Sequence, residues 1–142
     1  MSTIVRVATV AAAALLSVLS VGVANAAAPA GLPTCQGNTP ESVAGFVVSE
    51  IPSTFQGNGD DNCLMSLGSF GNGVWALQDS LNNCYSGNNL TEDGNFGPLT
   101  RQALENAQSA AHITVDGVYG PQSLNHLLWW DPNATACAHF GP

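Results

Sequence analysis

The sequence predicts a mainly α domain: a small three-helix fold with two Asp-Gly-x-aromatic-Gly turn repeats, disulfide-stapled, behind an irregular N-terminal extension. Three observations predict it. The phrase Leu90-Thr-Glu-Asp-Gly-Asn-Phe-Gly-Pro-Leu-Thr100 returns as Ile113-Thr-Val-Asp-Gly-Val-Tyr-Gly-Pro-Gln-Ser123, with Asp93 and Asp116 23 residues apart. Apolar residues recur at helical spacing before the first copy and after each proline. Four cysteines, Cys35, Cys63, Cys84 and Cys137, follow an apolar leader, and an even count in an exported chain reads as two disulfides.

Taken in chain order, residues 1–26 read as a secretory signal. Arg6 precedes an Ala/Val/Leu run, and Ala24-Asn-Ala26 supplies the small-x-small cleavage pattern. The run is weakly hydrophobic and no basic stop-transfer cluster follows, so a membrane anchor is disfavoured. Residues 27–62 form the extension, with one extended segment around Phe46-Val-Val48 and Ile51 and a loop at Gly57-Asn-Gly-Asp-Asp-Asn62. Residues 63–130 form the domain and 131–142 a polar tail.

Within the domain, Val74, Leu77 and Leu81 mark one face of a first helix. Each repeated phrase then reads in one order: an Asp-Gly turn, an aromatic anchor, a glycine before the helix, a proline at N1 and a hydroxyl two residues on. Turn-and-helix units of this period stack on one another, which makes Phe96 and Tyr119 equivalent core residues. The second helix carries Leu99, Ala103, Leu104, Ala107 and Ala110. The third carries Leu124, Leu127 and Leu128 and stops at Asp131-Pro132, with one of Trp129 and Trp130 in the core. Of three possible disulfide connectivities, Cys63 with Cys84 and Cys35 with Cys137 is expected, stapling the first helix and tying the extension to the tail.

Composition narrows the function. Two basic residues face ten acids for a formal charge of −8, and loss of the leader removes one of the two, Arg6. No basic patch is available for nucleic acid or an anionic membrane. Charged residues are 8% of the chain, against about 25% in typical domains. The surface is therefore rich in Asn, Gln, Ser, Thr and Gly, which suits hydrogen bonding to neutral polar ligands such as sugars or peptides.

No catalytic constellation is legible. His112, His126 and His139 lie too far apart in sequence for zinc-peptidase ligand spacing, and no Gly-x-Ser-x-Gly elbow occurs. No Cys-x-x-Cys pair suggests a metal. Asn89-x-Thr91-x-Asp93-Gly94 imitates the start of a calcium loop, but Thr100 stands where the bidentate glutamate belongs. Neither an enzyme, a metal nor a cofactor is expected.

The run Gly73-Val-Trp-Ala-Leu-Gln78, Leu81-Asn82, Asp93-Gly-x-Phe-Gly-Pro-x-Thr100, Ala103-Leu104, Gln108, Asp116-Gly-x-Tyr-Gly-Pro-x-Ser123 and Leu127 resembles the peptidoglycan-binding domain 1 family. The cysteine-framed form, with Leu-Asn-x-Cys-Tyr85 closing the first helix, resembles exported actinobacterial members. This chain departs from the pattern at Ala107, where many members carry a bulky aromatic, and at Ser109-Ala-Ala-His112, where a Gly-Leu pair is common.

The resemblance implies a secreted, non-catalytic protein that binds the bacterial cell wall, meeting glycan or stem peptide and working beside a separate wall hydrolase. The alternative is a secreted protein-binding or protease-inhibitor-like module that presents the loop at 57–62. Trp75, beyond the edge of the first helix's apolar stripe, either stacks on a ligand or packs beneath residues 46–51. Gln78 and Tyr85 join it as ligand candidates, with Asp93 and Asp116 as turn formers able to meet free amines on stem peptides. Binding through stacking and neutral hydrogen bonds should survive raised salt.

Overall fold

The computed structural model describes residues 31–43, 46–54 and 60–140. The signal sequence expected over 1–26 and residues 57–59 of the loop expected at 57–62 lie outside the described residues. The elements run β1 (Gly37–Val43), β2 (Phe46–Ser53), α1 (Asn72–Cys84), α2 (Pro98–Ala110), α3 (Pro121–His126), β3 (Leu128–Asp131) and β4 (Ala136–His139). Three helices thus occupy the middle of the chain, and a two-stranded sheet lies on either side of them in sequence.

The extension expected to be irregular is a hairpin. β1 and β2 pair antiparallel from Gly37 opposite Ser53 to Val43 opposite Phe46. The register shifts between Thr39 and Glu41, at Pro40, a residue with no N–H for the ladder. Ile51 of β2 is fully buried in the common core.

α1 buries Val74, Ala76, Leu77 and Leu81, as its period requires. α2 starts with Pro98 at N1 and buries Thr100, Ala103, Leu104, Ala107 and Gln108. Leu99 and Ala110, expected on its apolar face, are exposed. The polar Thr100 and Gln108 take the inner face because they bond the two turns, which swings the stripe away from both. α2 then closes with His112 in the left-handed region at φ 56°. Its N–H donates to Ser109 O and the Ile113 N–H to Gln108 O, each at 3.1 Å. That pair of bonds is a Schellman cap with histidine where glycine is usual.

α3 is shorter than its apolar pattern suggested. It ends at His126, Leu127 turns extended at ψ 160°, and residues 128–131 form a strand instead of a final helical turn. The Trp129 indole N–H donates to Leu124 O at 3.0 Å and the Leu128 N–H donates to Tyr85 Oη at 2.8 Å, so two aromatic side chains hold the extended path. The tail is correspondingly ordered: β4 pairs antiparallel with β3, placing Cys137 opposite Trp130. Trp129 is the buried member of the tryptophan pair and meets Tyr119 edge-to-face, with ring centroids 6.0 Å apart.

Residues 63–71 run as a strap that joins both turns. Met65 exchanges two backbone hydrogen bonds with Tyr119, at 3.0 and 2.8 Å. The Gly68 N–H donates to Phe96 O and the Phe96 N–H to Ser69 O, both at 2.9 Å. Phe96 and Tyr119, buried at 2% and 0% exposure, therefore occupy matching positions against one strap.

The disulfides correct the expected pairing: Cys35 bonds Cys63, and Cys84 bonds Cys137. The strap explains the first. Leu64 N–H donates to Pro33 O and Cys35 N–H to Leu64 O, bringing the two cysteine Cα atoms within 5.1 Å. Cys84 lies at the far end of α1, about 20 Å along the helix from its start, where β4 delivers Cys137 at a Cα separation of 5.8 Å.

Candidate functional site

Each Asp-Gly turn is held by a buried glutamine from the helix before it. Gln78 of α1 donates through Nε2 to Asp93 Oδ1 at 3.2 Å, Asn95 O at 3.0 Å and Thr100 Oγ1 at 3.1 Å, while its Oε1 accepts the Gly94 N–H at 2.9 Å. Gln108 of α2 donates to Asp116 Oδ1, Val118 O and Ser123 Oγ and accepts the Gly117 N–H at 3.0 Å. The aspartates complete each turn by accepting the N–H two residues on, from Asn95 and Val118, both at 2.9 Å.

Glycine is required after each aspartate. Gly94 and Gly117 sit at φ 70° and 67°, and a Cβ would come within 3.0 Å of Gly71 O or 2.8 Å of the Arg101 side chain. The hydroxyl two residues after each proline, a feature of the repeated phrase, is thus the far end of a glutamine clamp.

These bonds sort the ligand candidates. Gln78 is 1% exposed, with both amide atoms engaged inside the fold. Tyr85 is half-buried over the core, its hydroxyl held by Leu128. Burial pushes that hydroxyl's pKa up, and the Leu128 N–H partly offsets the rise. Asp116 lies at the second turn, beside a small cavity of about 140 Å³ lined by Leu32, Leu64 and Val118.

Trp75 and Asp93 come together. They share a cleft of about 340 Å³ with Phe70, Asn72, Glu92 and Asn95. Trp75 is 36% exposed and Phe70 72% exposed, so both aromatics are open to solvent. A smaller groove of about 180 Å³ continues on the other side of the turn, sharing Asp93 and Asn95 and reaching Thr91 and the exposed Leu99.

Phe70 and Glu92 are missing from the sequence-derived candidates. Phe70 is placed by an antiparallel bridge to Asn95, a pairing across 25 positions that no local spacing encodes. Glu92 is the residue before the first turn's aspartate, and comparison with Val115 at the same place in the second phrase could have singled it out.

Asp93 ionises below the usual carboxylate range. The Asn95 backbone N–H is the main cause and the Gln78 amide the next. Its carboxylate is therefore charged at neutral pH and well into acid. Among the described residues no group of three or more His, Cys, Asp or Glu is placed to hold a metal ion, and no helix is long and apolar enough to cross a membrane.

Comparison with known families identifies residues 70–127, which match the model of the "Putative peptidoglycan binding domain" family. The matched segment begins at Phe70 and contains the cleft, both glutamine clamps and both turns. No curated protein and no solved structure matches the chain significantly.

Proposed function

We propose that this protein, through the peptidoglycan-binding segment at 70–127, binds the bacterial cell wall outside the cell and does not cut it. The family match is the observation that carries the proposal. Two disulfides suit an oxidising, extracellular setting, and the leader pattern over 1–26 is the route that would take the chain there.

The cleft between Phe70, Trp75 and the first turn is the proposed contact surface. Exposed aromatic faces stack on sugar rings or flat amide planes. Asn72 and Asn95 bring side-chain amides to the same cleft, and Asp93 a carboxylate. The groove beyond the turn extends the surface toward Leu99, which suits an elongated ligand such as a stem peptide better than an isolated sugar. Gln78 supports this surface from beneath. Tyr85 and Asp116 take no part in it.

Co-sedimentation with purified sacculi at low and high salt, alongside an assay for released sugar or peptide, tests the proposal. Retention at both salts without release is expected, and Trp75→Ala should weaken retention about tenfold while leaving the melting temperature within a few degrees. Wild-type protein left in the supernatant would refute wall binding. Soluble fragments would refute the non-catalytic assignment.

A further inference from the structure

The two turns are built alike, yet only the first carries a cleft with aromatic walls and uncompensated negative charge. Glu92 and Asp93 both line it. Glu92 Oε1 accepts from Asn82 Nδ2 at 2.8 Å, and Asp93 Oδ1 accepts from Gln78 and Asn95. All of these donors, with the Asn95 side-chain amide that also meets Asp93, are neutral, so no cation compensates either charge there. The one described cation, Arg101, is committed to Glu105 at 2.8 Å. At the second turn Val115 stands where Glu92 stands in the first, and the adjacent cavity sets Asp116 among Leu32, Leu64 and Val118, with one carboxylate and no aromatic wall.

A cleft with two open aromatic faces and two anionic oxygens complements a cation on a short carbon stem. The ring faces attract an ammonium group through their quadrupoles, and the carboxylates accept its N–H donors in charge-assisted bonds. Resting on the wall-binding reading above, we infer that this cleft takes the free primary ammonium group of a stem-peptide diamino acid. The protein then selects stems that have not been cross-linked through that amine. Cross-linking converts the ammonium to a neutral amide, which removes the charge and two of its three donors. A single ion contact of this kind is closer than the Debye length of about 8 Å at physiological salt, so raised salt weakens retention without abolishing it.

The test uses the full chain and two soluble muramyl peptides, one with the free diamino-acid amine and the other acetylated there, with affinities measured by calorimetry. The free amine is expected to bind at least tenfold more tightly. Asp93→Asn keeps an oxygen for the Asn95 N–H and so preserves the turn while removing the charge. It should erase the preference for the free amine, while Asp116→Asn should keep it. Equal affinity of wild type for the two peptides would overturn the inference, with sacculus binding still standing. A preference lost in Asp116→Asn but kept in Asp93→Asn would overturn it as well. So would a glucosamine oligosaccharide that binds as tightly as the free-amine peptide, because the amine would then be read from the glycan. Failure to bind either peptide or sacculi would remove the wall-binding reading and this inference with it.

Discussion

Gln78 and Gln108 show how a polar side chain can be a core residue. Each makes more internal hydrogen bonds than any neighbouring side chain, and each is 1% exposed. Truncation of Gln78 would leave the buried Gly94 N–H without its partner and remove the bonds to Asp93, Asn95 and Thr100. Gln78→Ala is expected to lower stability by about 2–3 kcal/mol in urea unfolding, and a loss below 0.5 kcal/mol would mean the clamp is not structural. Tyr119 presents the opposite case. Its ring is fully buried, its hydroxyl has no hydrogen-bond partner among the described residues, and burial with the nearby Asp61 charge pushes its pKa well above the usual value. Tyr119→Phe should therefore be neutral or stabilising by up to about 1 kcal/mol, whereas a marked loss of stability would reveal a partner for the hydroxyl.

At the scale of elements, what the sequence made legible depended on whether the determinants were local. α1 and α2 were readable because apolar spacing and the prolines at N1 act within a few residues. Gln78, Asp93 and Asp116 were singled out as ligand candidates, and a buried clamp and a ligand contact leave the same mark in sequence. β1 was missed because its Gly-Asn-Thr-Pro-Glu-Ser-Val sequence carries no apolar alternation, although its partner β2 begins three residues on, and α3 was drawn too long because its end is decided by distant partners, Tyr85 and the tail strand β4. The C-terminal cap of α2 yields its own prediction. His112 holds a left-handed conformation that costs a non-glycine residue roughly 1 kcal/mol. His112→Gly should raise stability by about that amount and the melting temperature by a few degrees. A destabilised variant would mean that the imidazole makes a compensating contact.

At the scale of the molecule, the strap at 63–71 organises the rest. It pairs with Pro33 and Cys35 on one side, holds Tyr119 and Phe96 on the other, and ends at Phe70 on the cleft wall. The two disulfides secure its beginning and the far end of α1, closing loops with sequence separations of 28 and 53 residues. Chain-entropy arithmetic gives roughly 3.5 and 4 kcal/mol for loops of those sizes. A non-reducing peptide map should contain the Cys35–Cys63 and Cys84–Cys137 peptides. A Cys63–Cys84 peptide from native protein would contradict this arrangement of the strap.

The cleft at the first turn is the central claim, and chemical-shift mapping during titration with a soluble muramyl peptide tests it most directly. Amide shifts should concentrate at Phe70, Asn72, Trp75 and residues 92–95, with residues 116–118 of the matching second turn unmoved. Shifts centred on the second turn, or on the exposed end of α3, with the Phe70 and Asp93 region silent, would contradict it.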